Sequence, residues 1–307
     1  MLFLSMVIFA CEREIEIDVP TSQTEIVIEG TIETGQPPVV LVSQTFGFFD
    51  PLSAEDVAGS YIDNADVRVN GIPLTRICTD SLPPEFQEIV AELIGIAPDD
   101  LNDIRVCAYI GLDPALTGTE NTTYNLEVNV EGKELTAVTK IPSIVEPDSV
   151  WFRLWANSPR YGYVFCDLTD PDTLNNAYRI FTKRIGPNTN NNPVDPLYYA
   201  PLGSTFIDEF FNGETIELGF TRGQPPNSSR PTDQGDEVGY FETGDKFVFK
   251  FCAITKPAYE FYLTFESQQG ANGSPFASPS NVESNINGGL GIWAGYACSY
   301  DTLVALP

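Results

Sequence analysis

The chain has 307 residues, with 16 Lys and Arg against 43 Asp and Glu, a formal net charge of -27, and no histidine. A surface this acidic repels phosphate backbones and anionic headgroups, which excludes nucleic-acid binding and polybasic membrane docking. Without imidazole there is no Ser-His-Asp or Cys-His nucleophile system and almost no catalytic zinc chemistry, so only carboxylate-based catalysis stays open.

The first element is an uncharged apolar run from Leu2 to Ala10, followed directly by Cys11. It is far too short for a bilayer core of about 30 Å, which needs about 20 apolar residues. An apolar run closed by a small residue and then cysteine is how a bacterial lipoprotein signal ends, the cysteine thiol receiving diacylglycerol. Residues 1–10 are therefore expected to be a signal peptide, Cys11 the lipidated residue, and the protein lipid-anchored. Glu12, Glu14, Glu16 and Asp18 follow at once, which makes 11–23 an acidic tether.

From Glu25 to Ile32 polar and apolar residues alternate, and Val39 to Val42 forms a second apolar run after Gly35-Gln36-Pro37-Pro38. Short β-branched runs punctuated by Gly and Pro predict consecutive strands. Ala65–Val69, Tyr124–Val130 and Glu134–Thr139 continue the series, the last two joined by a turn at Glu131-Gly132-Lys133. This predicts a mainly β fold whose first unit, 24–143, is an immunoglobulin-like β-sandwich. One segment, 83–104, breaks the pattern. Pro83 to Gly95 opens with proline, spaces Phe86, Ile89, Val90, Leu93 and Ile94 as an amphipathic helix does, and stops at glycine. Cys78 and Cys107 flank this helical insertion and are the favoured disulfide pair; the connectivity of Cys166, Cys252 and Cys298 stays open.

Lys140 to Pro147 carries two prolines and reads as a linker, so a second β unit is expected over 146–307. Its strands are expected at 150–155, 161–168, 177–183, 215–221 and 246–254, with Phe247, Phe249 and Phe251 on one face. Pro257 to Gln269 predicts one packed helix, and the glycines at 288, 289 and 291 suit a strand that closes a barrel or sandwich by close backbone approach.

Three sets of side chains are candidates for chemistry. Asp167, Asp170, Asp172 and Asn175 offer oxygens that suit calcium in an expected hairpin loop, although the EF-hand pattern is missing and turn chemistry explains the same residues. Trp151 and Trp155, and Tyr198 with Tyr199, are surface-contact candidates, able to stack on sugars or anchor a protein interface. No residue set points to catalysis, and no other cofactor is expected.

Ser274-Pro275-Phe276 and the run PSNVESNINGGLGIWAGY from Pro279 to Tyr296 resemble the C-terminal signature of the DUF4249 family of Bacteroidetes lipoproteins. The IVIEG start, LPPEFQEIVAELIGIAPDDLNDI, YNLEVNVEGKELTAVTKIP and FIDEFFNGETIELGF resemble it too, so the likeness runs from about Thr24 to the C-terminus. The acidic leader is similar to the signal that sends such lipoproteins to the outer face of the outer membrane. The resemblance implies a partner and no reaction: an accessory or capture subunit beside a TonB-dependent transporter. The alternatives are an independent surface glycan-binding protein and an outer-membrane assembly factor.

Overall fold

The computed structural model describes residues 24–47, 53, 56, 59–82, 90–92, 94–97, 105–186, 194–224, 239–271 and 281–306. The signal segment 1–10, Cys11 and the tether 11–23 lie outside the described residues, as does most of the helical insertion. The strands, in chain order, are β1 (Ile26–Glu33), β2 (Val39–Gln44), β3 (Asp66–Val69), β4 (Ile72–Pro73), β5 (Thr75–Cys78), β6 (Cys107–Ile110), β7 (Thr123–Val130) and β8 (Lys133–Lys140). There follow β9 (Ser149–Leu154), β10 (Tyr161–Thr169), β11 (Ala177–Gly186), β12 (Thr205–Ile207), β13 (Thr215–Phe220), β14 (Phe241–Glu242), β15 (Lys246–Ile254), helix α1 (Lys256–Ala271) and β16 (Leu290–Val304).

The strands form three sheets. The largest has eight strands in the order β12-β11-β15-β16-β1-β2-β6-β5. Two four-stranded sheets accompany it, β4-β3-β7-β8 and β13-β10-β14, with β9 also paired to β10. One continuous apolar core includes residues of all three: Ile28 and Ile32 of β1, Phe247, Phe249 and Phe251 of β15, Leu126 and Val128 of β7, and Val164 and Leu168 of β10. The alternation read from the sequence is therefore what makes the sandwich, since β1, β7, β8 and β10 each send every second side chain into this layer. Each of the three phenylalanines of β15 is fully buried and contributes about 1.5–3 kcal/mol of transfer free energy.

The choice between barrel and sandwich narrows here. Among the described residues no barrel closes, because the large sheet ends in two unpaired edges, β12 and β5. The large sheet also holds strands from both sides of residues 144–145. β1 pairs in parallel with β16, from Val27 opposite Leu290 to Glu33 opposite Tyr296, and the second half of β16 pairs with β15. The first and last strands of the chain are thus central neighbours, and Trp293 on β16 reaches across the sandwich to donate from Nε1 to the Tyr124 carbonyl at 3.0 Å.

Local turn chemistry sets the small sheets. Glu131 and Gly132 both have positive φ (51° and 81°) and form the two-residue turn between β7 and β8. Asn70-Gly71 does the same between β3 and β4, with φ of 50° and 77°. Cys78 and Cys107 form the expected disulfide across β5 and β6, and a second joins Cys252 to Cys298 across β15 and β16. Cys166 is free and buried, and burial pushes its thiol up to about 12.

Candidate functional site

The outer face of the large sheet is flanked by two helical pieces. α1 lays Ala258 and Tyr262 on Ile292, Ala294, Tyr296 and the Cys252–Cys298 disulfide. At the other end Val90 and Ile94, from the described part of the helical insertion, pack on Val39, Leu41, Ala108 and Ile110. The gap between these two covers is an open cavity of about 270 Å³.

Alternation on the strands supplies its polar groups. Because Ile28, Gly30 and Ile32 take the core side of β1, Glu29, Thr31 and Glu33 line the cavity. β11 adds Arg179 and Phe181, β15 adds Lys250, and Glu92 comes from the insertion. Two of the three carboxylates are neutralised by neighbours. Lys250 Nζ lies 2.6 Å from Glu33 Oε2 and the Tyr300 hydroxyl donates to Oε1, while Lys183 Nζ lies 3.1 Å from Glu92 Oε2. Burial and then the Glu33 charge hold the Tyr300 hydroxyl far above its usual value.

Glu29 is different. Among the described residues no cation or hydrogen-bond donor pairs with its carboxylate, which stays open to solvent. Enclosure by the cavity walls pushes this carboxyl above its ordinary value, and the charge of Arg179 works the other way. Arg179 also lacks a carboxylate within ion-pair distance among the described residues. Its guanidinium carbon lies 3.3 Å from the centre of the Tyr262 ring and 5.1 Å from that of Phe181, and its Nε is buried without a hydrogen-bond partner. Beside it the Tyr262 and Tyr296 hydroxyls bond to each other; burial raises both, and the Arg179 charge opposes the rise.

The calcium candidates do not converge. Among the described residues, Asp167, Asp170 and Asp172 bring no three ligand atoms within 4.8 Å of one another. Asp170 is buried and takes the Tyr178 hydroxyl on one oxygen and the Gly213 N–H, at 3.2 Å, on the other. Asp167 accepts from Ser149 Oγ at 3.0 Å, and the Asn175 N–H is held by Asp208 at 2.9 Å. These oxygens pin the loop between β10 and β11. One compact trio, Asp63 with Cys78 and Cys107, has its sulfurs tied up in the disulfide and its carboxylate on Arg105 at 3.0 Å.

The aromatic candidates divide. Tyr199 is buried and its backbone pairs with that of Thr182, so it is a core residue and no surface contact. Tyr198 stands against Tyr300 with the Lys183 and Lys250 ammonium groups 5.2 and 5.3 Å from its ring. Burial, then the Glu92 and Glu33 charges, push its hydroxyl up to about 12. Trp151 and Trp155 lie on the outer face of the sheet built on β10, at two ends of one row of rings. Trp151 stacks on Phe165 at 6.0 Å, Phe165 meets Tyr163 at 6.4 Å, Tyr163 meets Tyr240 at 5.0 Å, and Tyr240 stacks on Trp155 at 5.5 Å. The Phe165 ring lies flat because Gly219 beside it has no Cβ, which would stand 2.6 Å away. Arg153 covers that ring at 4.0 Å and forks onto Glu217 at 2.7 and 2.9 Å.

The sequence reading missed Glu29, Arg179, Lys250, Tyr262 and Tyr296 as a group. The signal was present strand by strand, as polar residues in the outward positions of EIVIEGTIE and FVFKFC, but the pairing that brings these strands together is non-local.

No curated protein matches this chain. The family model described as "Domain of unknown function (DUF4249)" matches residues 12–300, so the chain belongs to that family.

Proposed function

We propose that this DUF4249 protein is a non-catalytic envelope lipoprotein, anchored in the outer membrane through Cys11 and facing outward, that captures a small ligand as accessory subunit of a TonB-dependent transporter. The observation that carries the reading is the open cavity on the large sheet, whose charged walls are fixed by internal ion pairs while one carboxylate and one guanidinium are left for a ligand. The absence of histidine and the two disulfides support a binding role in an oxidising compartment. The test is a mild-detergent pull-down of tagged protein from its native membrane with a Cys11→Ser control. Near-stoichiometric recovery of one β-barrel transporter, lost in the control, is the expected result; recovery of the lipoprotein alone overturns the transport reading.

The row of rings from Trp151 to Trp155 favours a second reading, an independent glycan-binding surface, because flat aromatic faces beside Arg and carboxylate groups suit sugar rings. Retention on a polysaccharide array, abolished by Trp155→Ala, distinguishes it from the first.

A further inference from the structure

The two unmatched charges of the cavity define the chemistry it takes. Glu29 offers a carboxylate with no counter-ion among the described residues, and Arg179 a guanidinium whose neighbours are rings and hydroxyls. Both line the same cavity, yet among the described residues they form no ion pair with each other. A ligand with a single charge leaves one of them unanswered: an amine satisfies Glu29 alone, and an anion meets Arg179 while being repelled by Glu29. Hydroxyl groups of a sugar hydrogen-bond to both without neutralising either, whereas a ligand that brings both counter-charges makes the stronger charge-assisted bonds at each end. The wall next to Glu29 is apolar, since Leu41 pairs directly with it on β2 and Val39 and Ile94 complete that side. Glu33 with Lys250 and Glu92 with Lys183 are already paired, so they act as fixed walls and do not compete for the ligand. The volume, about 270 Å³, is just below the range of about 300–1,000 Å³ usual for drug-sized ligands, which suits something smaller.

We propose that this cavity binds a small zwitterion of the free amino-acid class, its ammonium on Glu29, its carboxylate on Arg179 and an apolar side chain against Val39, Leu41 and Ile94. The proposal deepens the capture reading and rests on it for what the ligand is used for; the binding itself is measured on the purified full chain without any partner. Isothermal titration with leucine, methionine and phenylalanine tests the class, and two truncated probes test the two ends. Leucinamide keeps the ammonium and loses the carboxylate, and isocaproate keeps the carboxylate and loses the ammonium. Leucine is expected to bind at least about ten-fold more tightly than either, one charge contact being lost in each. Glu29→Gln is expected to weaken leucine by about the same factor and to tighten isocaproate, which the Glu29 charge no longer repels. The proposal is overturned if none of the three amino acids binds, if either truncated probe matches leucine, or if Glu29→Gln binds leucine as the parent does. The probe series uses the unmutated protein, so it stands even where a variant folds poorly. Failure of binding with the transporter still recovered in the pull-down removes the ligand class alone, and binding without a recovered transporter removes the transport role alone.

Discussion

Glu29 illustrates how a single residue can cost stability in the interest of a site. Its carboxyl is pushed up by enclosure more than the Arg179 charge pulls it down, so the folded chain holds this proton more tightly than the unfolded chain does. Below the ordinary glutamate value of about 4.3 both states are protonated and the residue is neutral toward folding. As pH climbs from there through the raised folded-state value, the unfolded chain ionises first and stability falls; above that value the loss is complete. Glu29→Gln is therefore expected to match the parent in thermal unfolding near pH 4 and to melt higher than it at pH 7. A variant that melts lower at pH 7 would mean that a cation holds Glu29 in the folded protein. Asp170 is the opposite case, a buried carboxylate that the fold depends on. Asp170→Ala leaves the Tyr178 hydroxyl and the Gly213 N–H without their acceptor, for an expected loss of about 2–4 kcal/mol in urea unfolding. Calcium added to the parent is expected to leave its midpoint unchanged, since both Asp170 oxygens are already engaged; a calcium-dependent rise would restore the metal reading of that loop.

At the scale of elements, β16 organises the sheet and shows what its glycines do. Gly291 has φ of 107°, and a Cβ there would stand 1.9 Å from the Ile28 carbonyl of the neighbouring β1. Gly291→Ala is expected to cost about 3 kcal/mol or more, combining a left-handed backbone with a backbone clash, measurable as a lower unfolding midpoint with an unchanged slope. Farther along, the Cys252–Cys298 disulfide locks β16 to β15 across a sequence separation of 46. By loop-closure entropy, replacing both cysteines with serine is expected to remove about 4 kcal/mol, read by unfolding variant and parent side by side without reductant, so that Cys78–Cys107 stays closed in both. Elements of this kind were legible in the sequence to different depths. The strands β1 to β3, β7 to β11, β13 and β15 and helix α1 were readable because alternation and helical spacing are local properties, and the Cys78–Cys107 bridge because its cysteines bracket one excursion. The short strands β4, β5, β12 and β14 were not, since two to four residues carry too little periodicity, although Asn70-Gly71 marked the β3–β4 turn. The cavity stayed hidden for a different reason: Glu29, Arg179 and Lys250 are each ordinary outward positions on their own strands and become a site through pairings that span the chain.

On the scale of the whole molecule, the pairing of β1 with β16 decides whether the chain unfolds as one body or two. The proline-bearing linker suggested two units, yet each half lacks something the other supplies. Without the C-terminal half, β1 loses the strand that pairs with seven of its residues, and the core of β7 and β8 loses Trp293. Without the N-terminal half, the first part of β16 loses β1 as its partner, and Glu33 is no longer there to neutralise Lys250. A single core shared by three sheets has no internal surface along which to separate, so unfolding one half exposes apolar area of the other. The intact chain is therefore expected to unfold in one cooperative step. Tryptophan fluorescence is well placed to report on it, since Trp151 and Trp155 lie on the outer face of one small sheet and Trp293 is buried between the large sheet and the other. Its denaturant curve should coincide with that of far-ultraviolet circular dichroism. Fragments 24–143 and 146–307, expressed separately, are expected to be protease-sensitive and to lack cooperative transitions, and to regain a common transition when refolded together. Two resolved transitions in the intact chain, or a fragment that folds cooperatively alone, would show that the linker divides the protein after all and that the β1–β16 pairing is an interface between independent units.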